Sequence, residues 1–205
     1  MAFASGVNAG TGMENMDAKL MTDIDMSGVT SWTPIGNCVF SWDSNALTIS
    51  SGTPYKAHFD GQGFTIKNFK LICNNSTAGR AYGLFGTISE GAVVENIKFD
   101  SSCSITASPT VQTDCGLVAG LVNVSTVKNI TSSAALTYDG AASAPDDVRM
   151  TLGMVGFAFA TNSDVVIENL VNKGQIVSKN SGHNSKNNAA AVQVAGILGF
   201  GTNGI

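Results

Sequence analysis

Charge is what this chain has least of. Asp, Glu, Lys and Arg together make up 13% of its residues, and the formal net charge is −4. With no broad basic field the chain is a poor partner for nucleic acid, whose binding is dominated by phosphate neutralisation. Arginine is rarer still, with Arg80 and Arg149 its only examples. A glycosidase needs paired carboxylates at a set separation, and a polysaccharide lyase needs a base beside a charge-neutralising Arg, Lys or metal. Neither arginine has such a constellation in its surroundings, so the sequence leans away from an enzyme. No apolar run approaches the length of a membrane span. Residues 1–10 also lack the basic start and apolar stretch of a secretory leader.

Sulfur and imidazole are equally sparse. Cys38, Cys73, Cys103 and Cys115 show neither metal-ligand nor redox-motif spacing. Stacked repeats would permit one Cys73–Cys103 disulfide, but separately buried thiols acting as small apolar groups are the favoured reading. His58 and His183 sit in unrelated contexts and read as polar or turn residues. Asp23 and Asp25, two apart on a strand, would share a face and could attract calcium, but capping of the turn at Ser27-Gly28 explains them better. Asp60 reads as the head of a tight turn, Asp60-Gly61-Gln62-Gly63. No cofactor and no metal is expected.

What the chain does contain is a repeat. Tyr82-Gly-Leu-Phe-Gly leads through a polar spacer to Val93-Val-Glu-Asn-Ile-Lys-Phe99. Gly116-Leu-Val118 leads in the same way to Val127-Lys-Asn-Ile130, and Gly153-Met-Val-Gly156 to Ile167-Glu-Asn-Leu170. An earlier half copy is Phe64-Thr-Ile-Lys-Asn-Phe69, and Gly196-Ile-Leu-Gly199 opens one that the chain does not finish. Together with 43% apolar residues and 23 glycines, this predicts many short strands and polar turns stacked repeat on repeat. Residues 1–54 read as a lead-in and capping segment and 55–205 as the repeats. Within the lead-in, residues 1–12 read as a loose terminus. The Thr11/Glu14 spacing predicts a short helix over Met13–Lys19, a strand follows at Leu20–Met26, and a hairpin or long loop occupies 37–54.

The copies predict their own geometry. Ile66, Val94, Val127 and Ile167 form an apolar inward column, and Lys67, Glu95, Lys128 and Glu168 an outward column of alternating sign. Asn68, Asn96, Asn129 and Asn169 share the inward parity, which predicts a buried ladder of stacked amides. Each is followed by another apolar residue, so alternation breaks there, as at a corner. From repeat Gly to Asn the spacing is nearly constant, whereas from Asn to the next repeat Gly it lengthens. The added residues, 104–114, 138–149 and 178–190, read as loops on one flank.

GLFG with VVENIKF, preceded by FDGQGFTIKNF, resembles the GLUG-motif repeat of bacterial surface and secreted proteins. The upstream DIDMSG and WTPIG resemble the lead-in that precedes such repeats in gut Bacteroidetes. The resemblance covers residues 20–205. It implies a right-handed parallel β-helix, secreted or at the cell surface and adhesin-like, with no agreed catalytic residues to carry over. On this reading the loops form a ledge that binds a polysaccharide or a host surface protein through Tyr138, Asp139, Asp146, Arg149, His183 and Asn184. A β-helical carbohydrate-active enzyme (lyase or glycoside hydrolase) and a structural stalk are the alternatives. The unfinished last repeat predicts self-association or a further domain at that end.

Overall fold

The structure is a computed structural model and describes residues 2–42, 46–74, 78–108, 111–140, 150–160, 163–179 and 192–202. Helix α1 (Ala2–Asn8) and a single 3₁₀ turn at Met13–Asn15 open the chain, and everything regular after them is strand. In chain order come β1 (Ala18–Lys19), β2 (Ile24–Asp25), β3 (Val39–Trp42), β4 (Leu47–Ser51), β5 (His58–Asp60), β6 (Thr65–Lys67), β7 (Lys70–Cys73), β8 (Arg80–Tyr82), β9 (Phe85–Ile88) and β10 (Val93–Glu95). They are followed by β11 (Lys98–Phe99), β12 (Ser104–Ala107), β13 (Thr113–Asn123), β14 (Thr126–Ser132), β15 (Ala135–Asp139), β16 (Met150–Phe159), β17 (Val166–Asn172), β18 (Ile176–Lys179), β19 (Val192–Val194) and β20 (Leu198–Thr202).

These strands form three sheets. The first has eight strands and runs β1/β2, β5/β6, β10/β11, β14, β17, because the long β14 pairs with both β10 and β11. The second has four, ordered β7, β12, β15, β18. The third has eight, built on β8/β9, β13, β16 and β19/β20, with β3 and β4 at one end. The all-β class expected from the sequence is present. The right-handed parallel β-helix is not, and that expectation is corrected. Three sheets of unequal size replace a single solenoid, and the third is mixed, since β3 runs antiparallel to both β4 and β8.

The lead-in departs from its sequence reading for the same physical reason, tertiary contact overriding local pattern. Of the residues expected to be loose (1–12), the described ones, 2–12, are not, because α1 buries Val7 completely and Asn8 ties it down. The Asn8 carboxamide accepts from the backbone N–H of Gly36 and of Asn37, both at 2.9 Å, and donates to the Pro34 carbonyl. The expected helix at Met13–Lys19 shrinks to one turn. The strand expected over Leu20–Met26 is two residues long. Trp32 anchors the following turn by donating its indole N–H to the Gly83 carbonyl at 3.0 Å.

The core fills the space between the sheets. Phe59, Val94 and Val127 lie in register along the first sheet, and Leu71, Ile105 and Leu136 along the second. Tyr55 and Phe59 both pack on Phe85, with ring centroids 5.5 and 5.2 Å apart. Nearly all of β13 and all of β16 are buried without alternation, which requires cover on both faces. The β3–β4 hairpin supplies part of the second cover. Trp42 on β3 lies 5.7 Å from the Phe157 ring, and Phe40, Leu121, Phe157 and Phe159 form a separate apolar cluster there.

Register also corrects the sequence alignment. Val94 pairs with Phe59 on one side and Val127 on the other, whereas Ile66 pairs with Phe99 and Ile24. The copy of Val93-Val94-Glu95 in the first repeat is therefore His58-Phe59-Asp60, not Thr65-Ile66-Lys67. Glu95 consequently lies between Asp60 and Lys128, and Lys67 stands in another column beside Asp25.

Candidate functional site

Two surfaces carry the polar chemistry of the described residues. The first is the end of the second sheet. Cys73, Ala107 and Tyr138 are register partners near the ends of β7, β12 and β15, and Asp139 pairs with Lys179 at the end of β18. The chain returns at Arg80, Thr113, Met150 and Val192, which are again register partners in the third sheet. The connections 74–79, 108–112, 140–149 and 180–191 therefore leave and rejoin the framework at equivalent points. The loop expected at 104–114 is corrected, since 104–107 and 113–114 are strand. The connections do not lengthen at the first step: the apparent growth there comes from setting Asn68 equivalent to Asn96, which the register does not support. They do lengthen after it.

Of the residues expected there, Tyr138 is misassigned. It is 0% exposed, because it shares inward parity with Leu136 on β15. Its ring is core, and no ligand can stack on it. Asp139, next along, is half-buried at the strand end. Asp146, Arg149, His183 and Asn184 lie outside the described residues.

The second surface is the outward face of the first sheet. There a row of side chains in register runs Lys19, Asp60, Glu95, Lys128, Glu168. Lys128 Nζ lies 3.4 Å from Glu95 Oε2, and His58 Nε2 lies 2.7 Å from Glu95 Oε1. His58 and Asp60 share this face because they are two apart on β5. One donor atom each from His58, Asp60 and Glu95 lies within 4.8 Å of the other two, the separation at which three groups can share a metal ion. The sequence reading passed over His58. The signal available was the alternation His-Phe-Asp, matched to Val-Val-Glu by register.

The asparagines line the edge of this face. Asn169 donates to Asn129 at 3.1 Å, Asn129 to Asn96 at 3.3 Å, and Asn96 to Asp60 Oδ1 at 2.9 Å. Asn68 belongs to another row and donates to Asp25 at 2.9 Å. The expected ladder of stacked amides joins Asn96, Asn129 and Asn169, but its inward direction and the inclusion of Asn68 are corrected. Asn129 and Asn169 are exposed, and all four asparagines have positive φ, 52° to 58°. A left-handed residue breaks the alternation, so strand parity no longer says which way its side chain points.

The acids take local roles first. Asp25 accepts from the Ser27 backbone N–H at 2.8 Å, which is the turn cap expected of it. Asp23 accepts from the Thr65 N–H and pairs with Lys67 Nζ at 2.9 Å. That Lys67 hydrogen bond is the main reason its carboxyl sits below the usual range. Asp60 accepts from the Gln62 backbone N–H at 2.8 Å. Burial alone would raise the Asp60 carboxyl, but hydrogen bonds from Asn96 and Gln62 outweigh it and hold the group below its ordinary value. All four cysteines are free and buried. No helix among the described residues is long and apolar enough to cross a membrane.

No family model and no solved structure matches the chain. Among curated proteins it is similar to Halomucin of Haloquadratum walsbyi, 27% identical over 139 residues. That likeness covers 67% of this chain and 1% of Halomucin's length.

Proposed function

We propose that this chain is a secreted or cell-surface binding module of adhesin-like type, holding a set of loops on an all-β framework to bind a polysaccharide or a host surface protein. The observation that supports this most is the register of the strand ends. Four successive connections leave the second sheet and rejoin the third at equivalent positions, so length added there leaves the framework untouched. The similarity of the Tyr82–Phe99 segment to GLUG-motif repeats supports an exported setting. The match covers 67% of this chain but 1% of Halomucin, which is compatible with a module carried within a much longer protein.

A glycan array and a panel of matrix proteins, probed with the parent and with a variant shortened across 180–188, test the reading. Binding by the parent that the shortened, folded variant loses supports it. Equal binding by both moves the site off the loops and favours a structural role.

The same reading includes self-association, or docking of a further domain, along β17 and β18. Ile176 there is 44% exposed, whereas its register partner Leu136 is fully buried, and Val171, the partner of Thr131, is 44% exposed as well. Sedimentation of the parent against a Val171→Lys, Ile176→Lys variant separates an associating edge from an inert one.

A further inference from the structure

We propose that His58, Asp60 and Glu95 form a binding site for a divalent transition-metal ion of the zinc type. The framework brings them together. His58 and Asp60 project from the same face of β5, and the parallel pairing of β10 with β5 sets Val93 beside His58 and Glu95 beside Asp60. The donors are one imidazole nitrogen and two carboxylate oxygens, all within 4.8 Å of one another. Imidazole with carboxylate suits zinc and its neighbours, whereas calcium and magnesium take oxygen donors alone.

The His58–Glu95 distance permits an ion with little movement. Zinc bonds to nitrogen and oxygen run about 2.0–2.2 Å, so two ligands of a tetrahedral ion stand roughly 3.3 Å apart. His58 Nε2 and Glu95 Oε1 are 2.7 Å apart, and a small rotation of either side chain opens the gap. Lys128 approaches Glu95 through the other oxygen, Oε2, and leaves Oε1 to the ion.

Asp60 is already oriented. Asn96 and the Gln62 backbone donate to its Oδ1, and the Gln62 side chain donates to Oδ2. A carboxylate offers about four lone-pair sites, so one on Oδ2 remains for a metal. Hydrogen bonds that fix a ligand's direction in this way are the outer shell that tightens metal sites. Asp60 and Glu95 are also like charges in register, which a shared cation relieves.

Three protein ligands leave a coordination position open. That position would take water or an oxygen from a bound partner. His58 and Asp60 also line a recess of about 270 Å³ together with Asp17, Ala18 and Lys19. The site is separate from the loops of the second sheet, so it stands or falls independently of them.

The test is a titration of the full chain with zinc chloride alone, followed by calorimetry and thermal melts. The parent should bind one zinc per chain, with a Tm that rises with zinc concentration. His58→Ala and Glu95→Gln should each bind at least about tenfold more weakly. Glu168→Gln and His183→Ala should bind as the parent does, and calcium should not compete. Circular dichroism establishes that each variant is folded. In the intact parent, the ¹⁵N shift of the His58 imidazole should move on adding zinc, which reads the ligand without any substitution. A parent that binds no zinc overturns the proposal. So does stoichiometric binding that survives His58→Ala, or a His58 resonance that zinc does not move.

Discussion

The side-chain amide of Asn96 donates to the carboxylate of Asp60 across 2.9 Å, so the row of asparagines ends on an acid rather than on a fourth asparagine. Asn96 also accepts from Asn129 and holds a left-handed backbone, φ 58°. Asn96→Ala removes both side-chain bonds and puts a less tolerant residue at that φ. At about 0.5–1.5 kcal/mol per hydrogen bond and about 1 kcal/mol for the backbone, it should cost roughly 2–4 kcal/mol in urea denaturation. Asn96→Gly keeps the backbone relaxed and should cost about 1 kcal/mol less than Ala.

That contrast marks what the sequence could and could not say. The repeat itself, the apolar partners Val94, Val127 and Ile167, and the charged partners Glu95, Lys128 and Glu168 were all legible, because register follows alternation. The first copy was misread because two segments competed for it. Ile66-Lys67-Asn68 looks more like Val94-Glu95-Asn96 than His58-Phe59-Asp60-Gly61 does. Only pairing distinguishes them, since Phe59 takes the inward position of Val94 and Asp60 the outward position of Glu95. Tyr138 was misplaced for a similar reason. An aromatic beside an acid at a strand end looks like a binding pair, yet parity puts Tyr138 in the core and leaves only Asp139 outside.

Acid should loosen the molecule through the same aspartates. The folded-state carboxyls of Asp60, Asp25 and Asp23 all lie below their ordinary value. A depressed folded pKa means that the unfolded chain takes up protons first. Their contribution is therefore fully present above the ordinary Asp value of about 3.9 and is lost as pH falls through the depressed values. Stability by urea midpoint should be flat in this respect above about pH 5 and decline below it. Asp60→Asn should flatten part of that decline.

Tyr138 gives a test inside the core. Its hydroxyl is buried and has no hydrogen-bond partner among the described residues. Tyr138→Phe should be neutral or stabilising, by up to about 1–3 kcal/mol, and should leave any ligand binding unchanged. Phe85→Ala, at a fully buried ring, should cost about 3–5 kcal/mol.

The thiols should be silent. Burial pushes Cys38 and Cys103 up to about 11 and Cys115 well above the ordinary thiol value. Cys73 is shielded by burial as well, so native protein at pH 8 should resist iodoacetamide at all four cysteines, and all four should label in denaturant. Mass spectrometry counts the adducts.

The register between β5 and β10 underlies both the asparagine row and the grouping of His58, Asp60 and Glu95. It is read most directly by cross-linking. Neighbouring strands lie about 4.8 Å apart, within the roughly 4.4–6.8 Å that a disulfide spans. Val93→Cys combined with His58→Cys should therefore close a disulfide under mild oxidation, since His58 and Val93 are register partners. Val93→Cys with Thr65→Cys, the pair that sequence similarity alone would choose, should stay open because Thr65 pairs with Lys98. Closure of the Thr65 pair with the His58 pair left open would contradict the register and everything built on it.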